Sequence, residues 1–596
     1  MIIAKKWLIV GLLSLSLMSC KKTPEIILTP LEEKLASMSL DEKLGQMIQA
    51  ERYAVTTATI NELNLGSILS GGGSHPTPNT VEAWLALTTK MNNAAKNGSA
   101  GLPLIYGVDA VHGHNNVEGL VLFPHNSALG ATHDEELLER IGKAVGVQLR
   151  ATGISWNFAP CLAVVQDIRW GRAYEGFSEE PNLVASLGSA YIKGLQSEGI
   201  MATAKHYLAD GGTDFDSSKN SYPIDQGNVS LTEAEIRALH LVPYIKAIQD
   251  AKVKSIMVSF SSINNQKMHG STYWITTILK EELKFDGIVI SDWEAIHQLP
   301  GSLIYQVSSA INAGVDMLME PNKYKDVLAV MKRAVENGTI KMERIDDAVM
   351  RILKVKDDLK LSTGLASATI DMENDKALAR EAVAKSQVLL KNEGVLPLAK
   401  NTDILLIGPG IDNVGYQAGG WSFSWQGEKG NEHFPNATTL LEAFTAIAQA
   451  NGAHIYTQLK DASKADVVVM VLTENPYAEG IGDTKTLSLT SGLAHPDNAE
   501  TIRQAKLIKK PIVTLLMSGR PLIVEDEIEY WDAFVMSWLF GTEAQGVTDV
   551  LYGDVNFSGT LSFTWPKISE ANTTSSMNPD RNADDIQFEI GSGLTY

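Results

Sequence analysis

Short apolar runs alternate with longer amphipathic segments from about residue 31 to residue 360. Apolar strands separated by helices favour a parallel sheet built from βα units. The runs that predict strands are Gly66–Ser70, Leu104–Asp109, Ile154–Pro160, Met201–His206, Ser255–Phe260, Gly287–Asp292 and Val315–Met319. The segments that predict helices are Asp134–Ala151, Asn182–Ser197, Thr232–Asp250 and Lys325–Asn337.

At least seven such βα units fit a closed (β/α)8-type barrel. In that fold the functional side chains lie at the carboxyl ends of the strands. Polar residues end three of the predicted strands, namely Asp109, the pair Lys205 and His206, and Asp292. We therefore expect these four side chains to share one site.

A second alternation of apolar and amphipathic segments follows a turn-prone stretch near Leu361–Met372, which predicts a linker. It predicts a second, smaller α/β layered domain. The predicted strands are Ile404–Gly408, Asp466–Leu472, Ile512–Met517 and Ala533–Ser537, and the predicted helices include Thr439–Asn451 and Asn498–Lys509.

The beginning of the chain has the pattern of an export signal. Lys5 and Lys6 precede the apolar stretch Trp7–Met18, which is shorter than the about 20 residues of a membrane-spanning helix. It resembles a bacterial lipoprotein signal, in which Cys20 becomes the lipidated first residue of the mature protein; an ordinary secretory signal is the alternative. We expect a signal peptide at 1–19, a tether at 20–30, and an exported lipoprotein on the periplasmic or outer-membrane face.

The composition narrows the classes of function. The chain has 596 residues with 50 basic and 70 acidic side chains, so its formal net charge is −20. An acidic balance argues against nucleic-acid binding, which needs basic surface. The two cysteines, Cys20 and Cys161, are too few for a disulfide framework or a cysteine-rich zinc module.

The strand-end residues suggest chemistry at a sugar. Asp292 is a candidate nucleophile or general base, and Trp293 is a candidate platform for a sugar ring. Asp109 has the oxygens to accept from two vicinal hydroxyls, and Lys205 and His206 have nitrogens to donate to others. Strand-end capping and ordinary core packing remain the alternatives for these positions.

Three further segments carry candidate residues. The segment Asp167–Arg172 contains two arginines, for substrate binding or for salt bridges. In the second domain, Glu474, Glu479 and Asp483 lie in one short segment. Its composition alone predicts a solvated acidic loop. Trp421 and Trp425 lie among glycines with little apolar sequence around them, which favours ligand contact over packing.

A metal-dependent hydrolase is a competing interpretation. His112 and His114 follow a strand, and Lys205 and Asp292 come later, as in amidohydrolase barrels. Metal sites need several ligands from successive strands, and no histidine in the second half of the barrel ends a predicted strand. We predict no metal and no cofactor.

Nine segments, in this order and spacing, resemble glycoside hydrolase family 3, in its exo-acting β-glucosidase branch. They are Ser39–Met47, Pro103–His114, Arg169–Arg172, Lys205–His206, Gly287–Trp293, Val388–Gly394, Gly419–Trp425, Ser518–Pro521 and Gly541–Gly546. The resemblance implies a (β/α)8-type barrel at 31–361, a linker at 362–375 and an αβα sandwich domain at 376–596, with the site between the domains.

The resemblance also implies a role for each site residue. Asp292 matches the nucleophile, and Glu479 matches the acid/base, with Glu474 as the alternative acid. Trp293 and Trp425 match the pair of tryptophans that clasp the second sugar. The residues that match the binding site of the terminal glucose are Asp109, Arg172, Lys205 and His206.

Two positions depart from patterns in this family. Phe260 stands where the family usually has tyrosine, which removes one hydroxyl near the nucleophile and bears on sugar preference. Ser218 stands where the N-acetylglucosaminidase branch has a histidine acid/base, which argues against that branch.

The sequence thus predicts a retaining exo-acting β-glucosidase that releases terminal nonreducing β-D-glucose from oligosaccharides or glucans through a covalent glycosyl-enzyme intermediate. The expected partners are β-linked gluco-oligosaccharides, and the membrane only through a lipid anchor. A β-xylosidase of the same family and a non-catalytic sugar-binding lipoprotein are the alternatives.

Overall fold

The computed structural model describes residues 28–218, 221–570 and 574–596. The predicted signal peptide and Cys20 lie outside these residues, so lipidation stays a prediction. Within the described part of the chain, every helix is too short or too polar to span a membrane.

Eight parallel strands of the first domain pair in a closed ring. Hydrogen-bonded ladders join five strands in the order eighth, first, second, third, fourth. A second set of ladders joins the fifth, sixth and seventh strands. Bridges from Trp156 to Met201 and from Ile290 to Met317 close the ring, which confirms the predicted barrel. The strands are β1 (Ile48–Glu51), β2 (Ser67–Ser70), β3 (Ile105–Val108), β4 (Trp156–Asn157), β5 (Thr203–Tyr207), β6 (Ser255–Val258), β7 (Ile288–Ile290) and β8 (Leu318–Met319).

Helices surround the barrel and pack their apolar faces on its strands. Capping boxes at Ser39 and Thr232 fix the first turn of two of them. The helices are Pro30–Ser37, Leu40–Gln46, Thr57–Leu63, Val81–Lys96, Asn126–Gly130, Glu135–Ala151, Pro181–Ser197, Glu233–Leu239, Val242–Gln249, Leu303–Ala313, Tyr324–Glu336 and Met342–Asp358, with a π-helix at Tyr273–Glu282.

The single helix predicted at 232–250 is wrong. The structure has two helices, Glu233–Leu239 and Val242–Gln249. Pro243 lies in the first turn of the second helix, where its missing N–H costs nothing, whereas the interior of one continuous helix would lose a hydrogen bond there.

The second domain is built on a six-stranded sheet with one antiparallel edge strand. Its spatial order is β9, β14, β13, β12, β10, β11, with only the β9–β14 pair antiparallel. The strands are β9 (Val388–Asn392), β10 (Ile404–Ile407), β11 (Ile455–Tyr456), β12 (Val467–Thr473), β13 (Ile512–Met517) and β14 (Ala533–Met536), and the helices are Met372–Ser386, Val414–Ala418, Leu440–Asn451, Asn498–Leu507 and Gln545–Leu551.

The two faces of this sheet are covered differently. Leu440, Phe444 and Val547 of the helices pack on one face. The other face packs on the helix Asn498–Leu507 and also on barrel loops, through Ile168 and Trp170. The two domains therefore share one hydrophobic cluster, and this contact brings the loops of the sandwich over the mouth of the barrel.

Candidate active site

A cavity of about 730 Å³ lies at the carboxyl ends of the barrel strands, beneath loops of the sandwich domain. The structure brings all nine predicted catalytic and substrate-binding residues to its wall. They are Asp109, Arg172, Lys205, His206, Phe260, Asp292, Trp293, Trp425 and Glu479.

Asp292 follows β7, and only one of its two carboxylate oxygens accepts a hydrogen bond from the described residues. Its Oδ1 accepts a hydrogen bond from the Trp293 backbone N–H at 2.6 Å, and its own N–H donates to His269 Nε2 at 3.1 Å. Its Oδ2 is buried and accepts no hydrogen bond from any described residue. Burial raises the pKa of Asp292 to about 6, and the Arg172 charge limits that rise. One oxygen of the carboxylate is therefore held by a hydrogen bond and the other is not.

Glu479 enters the cavity from the sandwich domain. It begins the 3-10 turn Glu479–Gly482 with a backbone φ of +54°. Its Oε1 lies 3.4 Å from Arg172 Nη1. Burial raises the pKa of Glu479 to about 8; Arg172 lowers it, whereas the charge of Asp225 adds to the rise. A pKa of about 8 favours the protonated form of this carboxyl group at neutral pH.

The Arg172 guanidinium lies beside Glu479, and its charge acts on both carboxyl groups. Glu175 binds it through two hydrogen bonds, from Nε at 2.8 Å and from Nη2 at 2.9 Å, which fixes its plane. Its Nη2 also donates to His206 Nε2 at 3.2 Å. Arg172 therefore lowers the pKa of both Asp292 and Glu479 from one fixed position.

The tautomer of His206 follows from its neighbours. Arg172 has no acceptor, so His206 Nε2 must accept from it. His206 Nδ1–H then donates to Asp210 Oδ2 at 2.8 Å. Burial, together with the charges of Arg172 and Lys205, holds the pKa of His206 well below its usual range. The ring is a neutral hydrogen-bonding group.

Asp109 and Lys205 form an ion pair across the floor of the cavity. Lys205 Nζ donates to Asp109 Oδ1 at 2.8 Å, and the lysine is only 2% exposed. Lys205 Nζ also lies 5.9 Å from the centroid of the Trp421 ring, whose Nε1 donates to Glu175 Oε1 at 3.2 Å. The floor thus presents a charged acceptor and a charged donor side by side.

The mouth of the cavity lies between two tryptophans. Trp293 is 39% exposed, and Trp425 is half-buried on the facing loop. The backbone of Gly71 and Gly72 passes between them, since a Cβ on Gly71 would lie 3.2 Å from the Trp293 ring and one on Gly72 would lie 2.9 Å from Trp425 Cα. Glycine at position 71 leaves room for the Trp293 ring, and glycine at position 72 leaves room for the backbone of Trp425.

Comparison with known proteins decides the family. The N-terminal domain model of glycosyl hydrolase family 3 matches residues 39–355, and the C-terminal domain model of that family matches residues 387–596. The chain belongs to glycosyl hydrolase family 3. The prediction of a glycoside hydrolase is thereby confirmed.

The family members similar to this chain include β-glucosidases and a glucanase. A lysosomal beta glucosidase of Dictyostelium discoideum is 31% identical over 95% of this chain and 76% of its own length. A periplasmic beta-glucosidase of Salmonella typhimurium is 26% identical over 96% of this chain and 81% of its own length. The crystal structure of a mutant exo-1,3/1,4-β-glucanase from a Pseudoalteromonas species superposes with a TM-score of 0.88 at 37% identity, over 95% of this chain and 94% of that one.

Glu474 and Glu479 are the two candidate acids of this family 3 chain. Of these two, only Glu479 lines the cavity. Glu474 is buried, and its Oε2 accepts from the hydroxyls of Tyr477 at 3.0 Å and Ser518 at 2.7 Å. Arg520 Nε lies 3.4 Å from its other oxygen. Those contacts fix Glu474 as part of the domain's interior, so it is the weaker candidate for proton transfer.

The histidines of the competing metal interpretation have other partners. His112 Nδ1 lies 2.8 Å from Phe123 O, and His114 Nε2 lies 3.0 Å from Thr152 Oγ1. Among the described residues, one group has metal-ligand types within 4.8 Å of one another: Cys161, His206 and Asp210. Burial raises the pKa of the Cys161 thiol, and both nitrogens of His206 are engaged, so this donor set does not fit a metal ion.

Several residues around the site were not predicted from the sequence. Glu175 binds Arg172, and Asp210 binds His206. The cavity is also lined by Tyr222 and Gln226. None of them ends a barrel strand, so the strand-end signal did not find them. Trp421, which its aromatic loop predicts as a ligand contact together with Trp425, also lines the cavity, although the family resemblance gives it no role.

Proposed function

We propose that this family 3 enzyme is a retaining, exo-acting β-glucosidase. The observation that carries the proposal is the pair of carboxyl groups on the two domains, Asp292 and Glu479. Burial raises the pKa of the first to about 6 and that of the second to about 8. Between these values one group is an anion and the other holds a proton, as a nucleophile and a general acid require.

In the first step, a carboxylate oxygen of Asp292 attacks the anomeric carbon and the bond to the leaving oxygen breaks. Glu479 gives its proton to that oxygen, so the aglycone leaves as an alcohol. In the second step Glu479, now a carboxylate, removes a proton from water while that water attacks the anomeric carbon and releases Asp292. Two inversions give net retention.

The floor of the cavity supports recognition of one terminal glucose. Asp109 and Lys205 offer an acceptor and a donor to adjacent hydroxyls, and neutral His206 and Arg172 lie beside the nucleophile. These groups are largely buried, whereas the cavity opens to solvent past Trp293. A chain that enters this way presents its end to Asp292, which supports exo action.

The similarity to an exo-1,3/1,4-β-glucanase supports β-glucans with these linkages as substrates. Laminaribiose and cellobiose are the shortest test substrates. Turnover of both would support a broad linkage range, and turnover of one alone would define the preference.

We also infer that the protein is exported. The similarity to a periplasmic beta-glucosidase supports this, and so does the sequence of the first twenty residues. Cys20→Ala tests the lipid anchor. We expect the wild type in the membrane fraction and the variant in the soluble fraction.

The primary test is hydrolysis of p-nitrophenyl β-glucoside by the wild type and by Asp292→Ala. We expect activity that survives EDTA and falls by at least about 10³-fold in the variant. Activity on the β-xyloside alone would favour the β-xylosidase alternative. Sugar binding without turnover of any glycoside would favour the binding-protein alternative.

A further inference from the structure

A third aromatic ring lies on the rim of the cavity, outside the site described above. Tyr53 follows β1, lines the same cavity as Trp293 and is 67% exposed. Exposed aromatic rings beside a sugar-binding cleft offer an apolar face to the C–H surface of a pyranose.

The ring of Tyr53 is fixed although most of it faces solvent. The Arg52 guanidinium carbon lies 3.7 Å from the ring centroid, a cation–π contact that covers one face. The Tyr53 hydroxyl donates to the carbonyl of His75 at 3.2 Å, and Arg52 Nε donates to Ser74 Oγ at 3.1 Å. A ring held in this way loses little conformational entropy when a ligand stacks on its open face.

The residues that hold Tyr53 in place belong to a loop at the mouth of the cavity. Ser74 and His75 belong to the same loop as Gly71, where a Cβ would lie 3.2 Å from the Trp293 ring. The loop at 71–75 therefore lies against both the Tyr53 ring and the Trp293 ring, and it fixes one relative to the other.

We propose that Tyr53 is the platform of an outer subsite that binds the third glucosyl residue of a β-glucan, counted from the nonreducing end. The subsite rests on the proposed function, since it needs a chain that enters past Trp293. It makes the enzyme prefer trisaccharides and longer chains over disaccharides.

The test compares Tyr53→Ala with Tyr305→Ala on laminaribiose, laminaritriose and p-nitrophenyl β-glucoside. Tyr305 is 57% exposed on the helix Leu303–Ala313 and does not line the cavity, so it is the matched control. We expect Tyr53→Ala to lower kcat/KM for the trisaccharide by about three- to tenfold through KM. Its disaccharide and aryl glucoside values stay within about twofold. Tyr53→Phe loses the hydrogen bond to His75 but keeps the ring and its contact with Arg52, so we expect it to keep most of the trisaccharide value.

Equal loss on all three substrates, or no loss on the trisaccharide, would overturn the subsite. Either result would leave the proposed function standing, because the wild type would still hydrolyse the glucosides. A wild type inactive on all three would overturn the proposed function and the subsite together.

A separate observation concerns Asp483, which lies four residues after Glu479 in the sandwich domain. Its carboxylate crosses to the barrel and accepts three backbone N–H groups. Oδ1 accepts from Gly171 at 2.8 Å, and Oδ2 accepts from Ile224 at 2.8 Å and from Asp225 at 2.7 Å. The acidic loop expected from composition is thus a cross-domain contact at this residue.

The contact lies directly behind the acid. A Cβ on Gly171 would lie 1.9 Å from the carbonyl oxygen of Glu479, so the two backbones touch there. Gly171 precedes Arg172, which pairs with Glu479, and Ile224 precedes Asp225, whose charge raises the pKa of Glu479. Glu479 and Asp483 lie on the same turn. Through its carboxylate, Asp483 attaches this turn to the two barrel segments whose charges, Arg172 and Asp225, shift the pKa of Glu479.

We infer that Asp483 is a positioning residue for Glu479, acting through backbone contacts without touching the substrate. This inference also rests on the proposed function. In Asp483→Asn the side-chain NH2 faces backbone donors, so the turn loses at least one of its three anchors while the volume stays the same.

The test measures Asp483→Asn, with Asp497→Asn as the control, because Asp497 is an exposed aspartate of the same domain. We expect kcat/KM for laminaribiose to fall about 10- to 100-fold, since this substrate needs a proton on its leaving group. The value for 2,4-dinitrophenyl β-glucoside, which leaves without a proton, falls less than about threefold. The alkaline limb of the pH profile moves to lower pH, because a displaced Glu479 is more exposed to water.

Equal loss on both substrates with an unchanged alkaline limb would overturn this role and leave a purely structural one. Unchanged activity on both would also overturn it. Asp483→Glu is the conservative variant, and we expect it to restore part of the laminaribiose activity.

Discussion

Arg172 of the barrel and Glu479 of the sandwich domain meet across the cavity, with Nη1 3.4 Å from Oε1. Arg172 also donates to His206, which lies 3.7 Å from Asp292 Oδ2. One guanidinium thus links the proposed acid of one domain to the proposed nucleophile of the other. The site is complete only when the two domains are docked.

The first prediction is a bell-shaped pH profile of kcat/KM. Asp292 must be ionised, so activity rises through its pKa of about 6. Glu479 must be protonated, so activity falls through its pKa of about 8. We expect a maximum near neutral pH, measured with p-nitrophenyl β-glucoside from pH 4 to pH 10.

Glu479→Gln separates the two limbs. With p-nitrophenyl β-glucoside, the substrate of the wild-type profile, the variant keeps the rise near pH 6 and loses the fall near pH 8. A fall that persists in the variant would show that another group controls the alkaline limb.

The second prediction distinguishes the two candidate acids by their leaving-group dependence. Glu479→Ala is expected to lose about 10²- to 10⁴-fold on laminaribiose and far less on 2,4-dinitrophenyl β-glucoside. Azide restores turnover and gives β-glucosyl azide, because it attacks the glycosyl-enzyme without needing a base.

Glu474→Gln is the companion variant. It removes a charge that accepts from Tyr477 and Ser518, so we expect lower thermal stability with the same proportional loss on both substrates and no azide rescue. The reverse pattern in the two variants would exchange the roles of Glu474 and Glu479.

The third prediction concerns the ion pair in the cavity floor. Lys205→Met leaves the Asp109 carboxylate without its 2.8 Å partner, and we expect it to cost about 3 kcal/mol of unfolding free energy and nearly all glucosidase activity. Adding Asp109→Asn removes the unpaired charge and restores part of the stability. Denaturant unfolding of both single variants and the double variant measures the coupling; strictly additive losses would contradict it.

The fourth prediction concerns Phe260, where the sequence resemblance implies a tyrosine. Phe260 and Asp292 line the same small cavity, and Asp292 Oδ2 has no hydrogen-bond partner among the described residues. In Phe260→Tyr a hydroxyl donates to that oxygen and favours its ionised form. We expect the acid limb of kcat/KM to move below pH 6; an unchanged limb would limit Phe260 to shaping the cavity.

The fold was predictable where the sequence carries strong periodic signals. The apolar run that contains Ile288–Ile290 and ends in Asp292 identified both a strand and the strand end that borders the cavity. Strand Ile48–Glu51 was missed because Gln49 and Glu51 interrupt its apolar character, although both are buried in the barrel. Only the closed ring explains their burial, and ring closure is not a local property.

The site was predictable where a strand end or a family motif marks a residue. Glu175 carries no such mark, and its importance comes from the distance to Arg172. Asp483 looked like part of a solvated acidic loop, because composition does not reveal that three barrel N–H groups face it. Contacts between distant segments decide these roles.

The most direct test of the central claim is to trap the covalent intermediate. With 2,4-dinitrophenyl 2-deoxy-2-fluoro-β-glucoside, fluorine slows both steps and the good leaving group restores the first, so a glycosyl-enzyme persists. We predict that mass spectrometry finds one added fluorodeoxyglucosyl group on the peptide that contains Asp292, and none in Asp292→Asn. A label on any other residue, or turnover by a wild type that forms no adduct, would contradict the account.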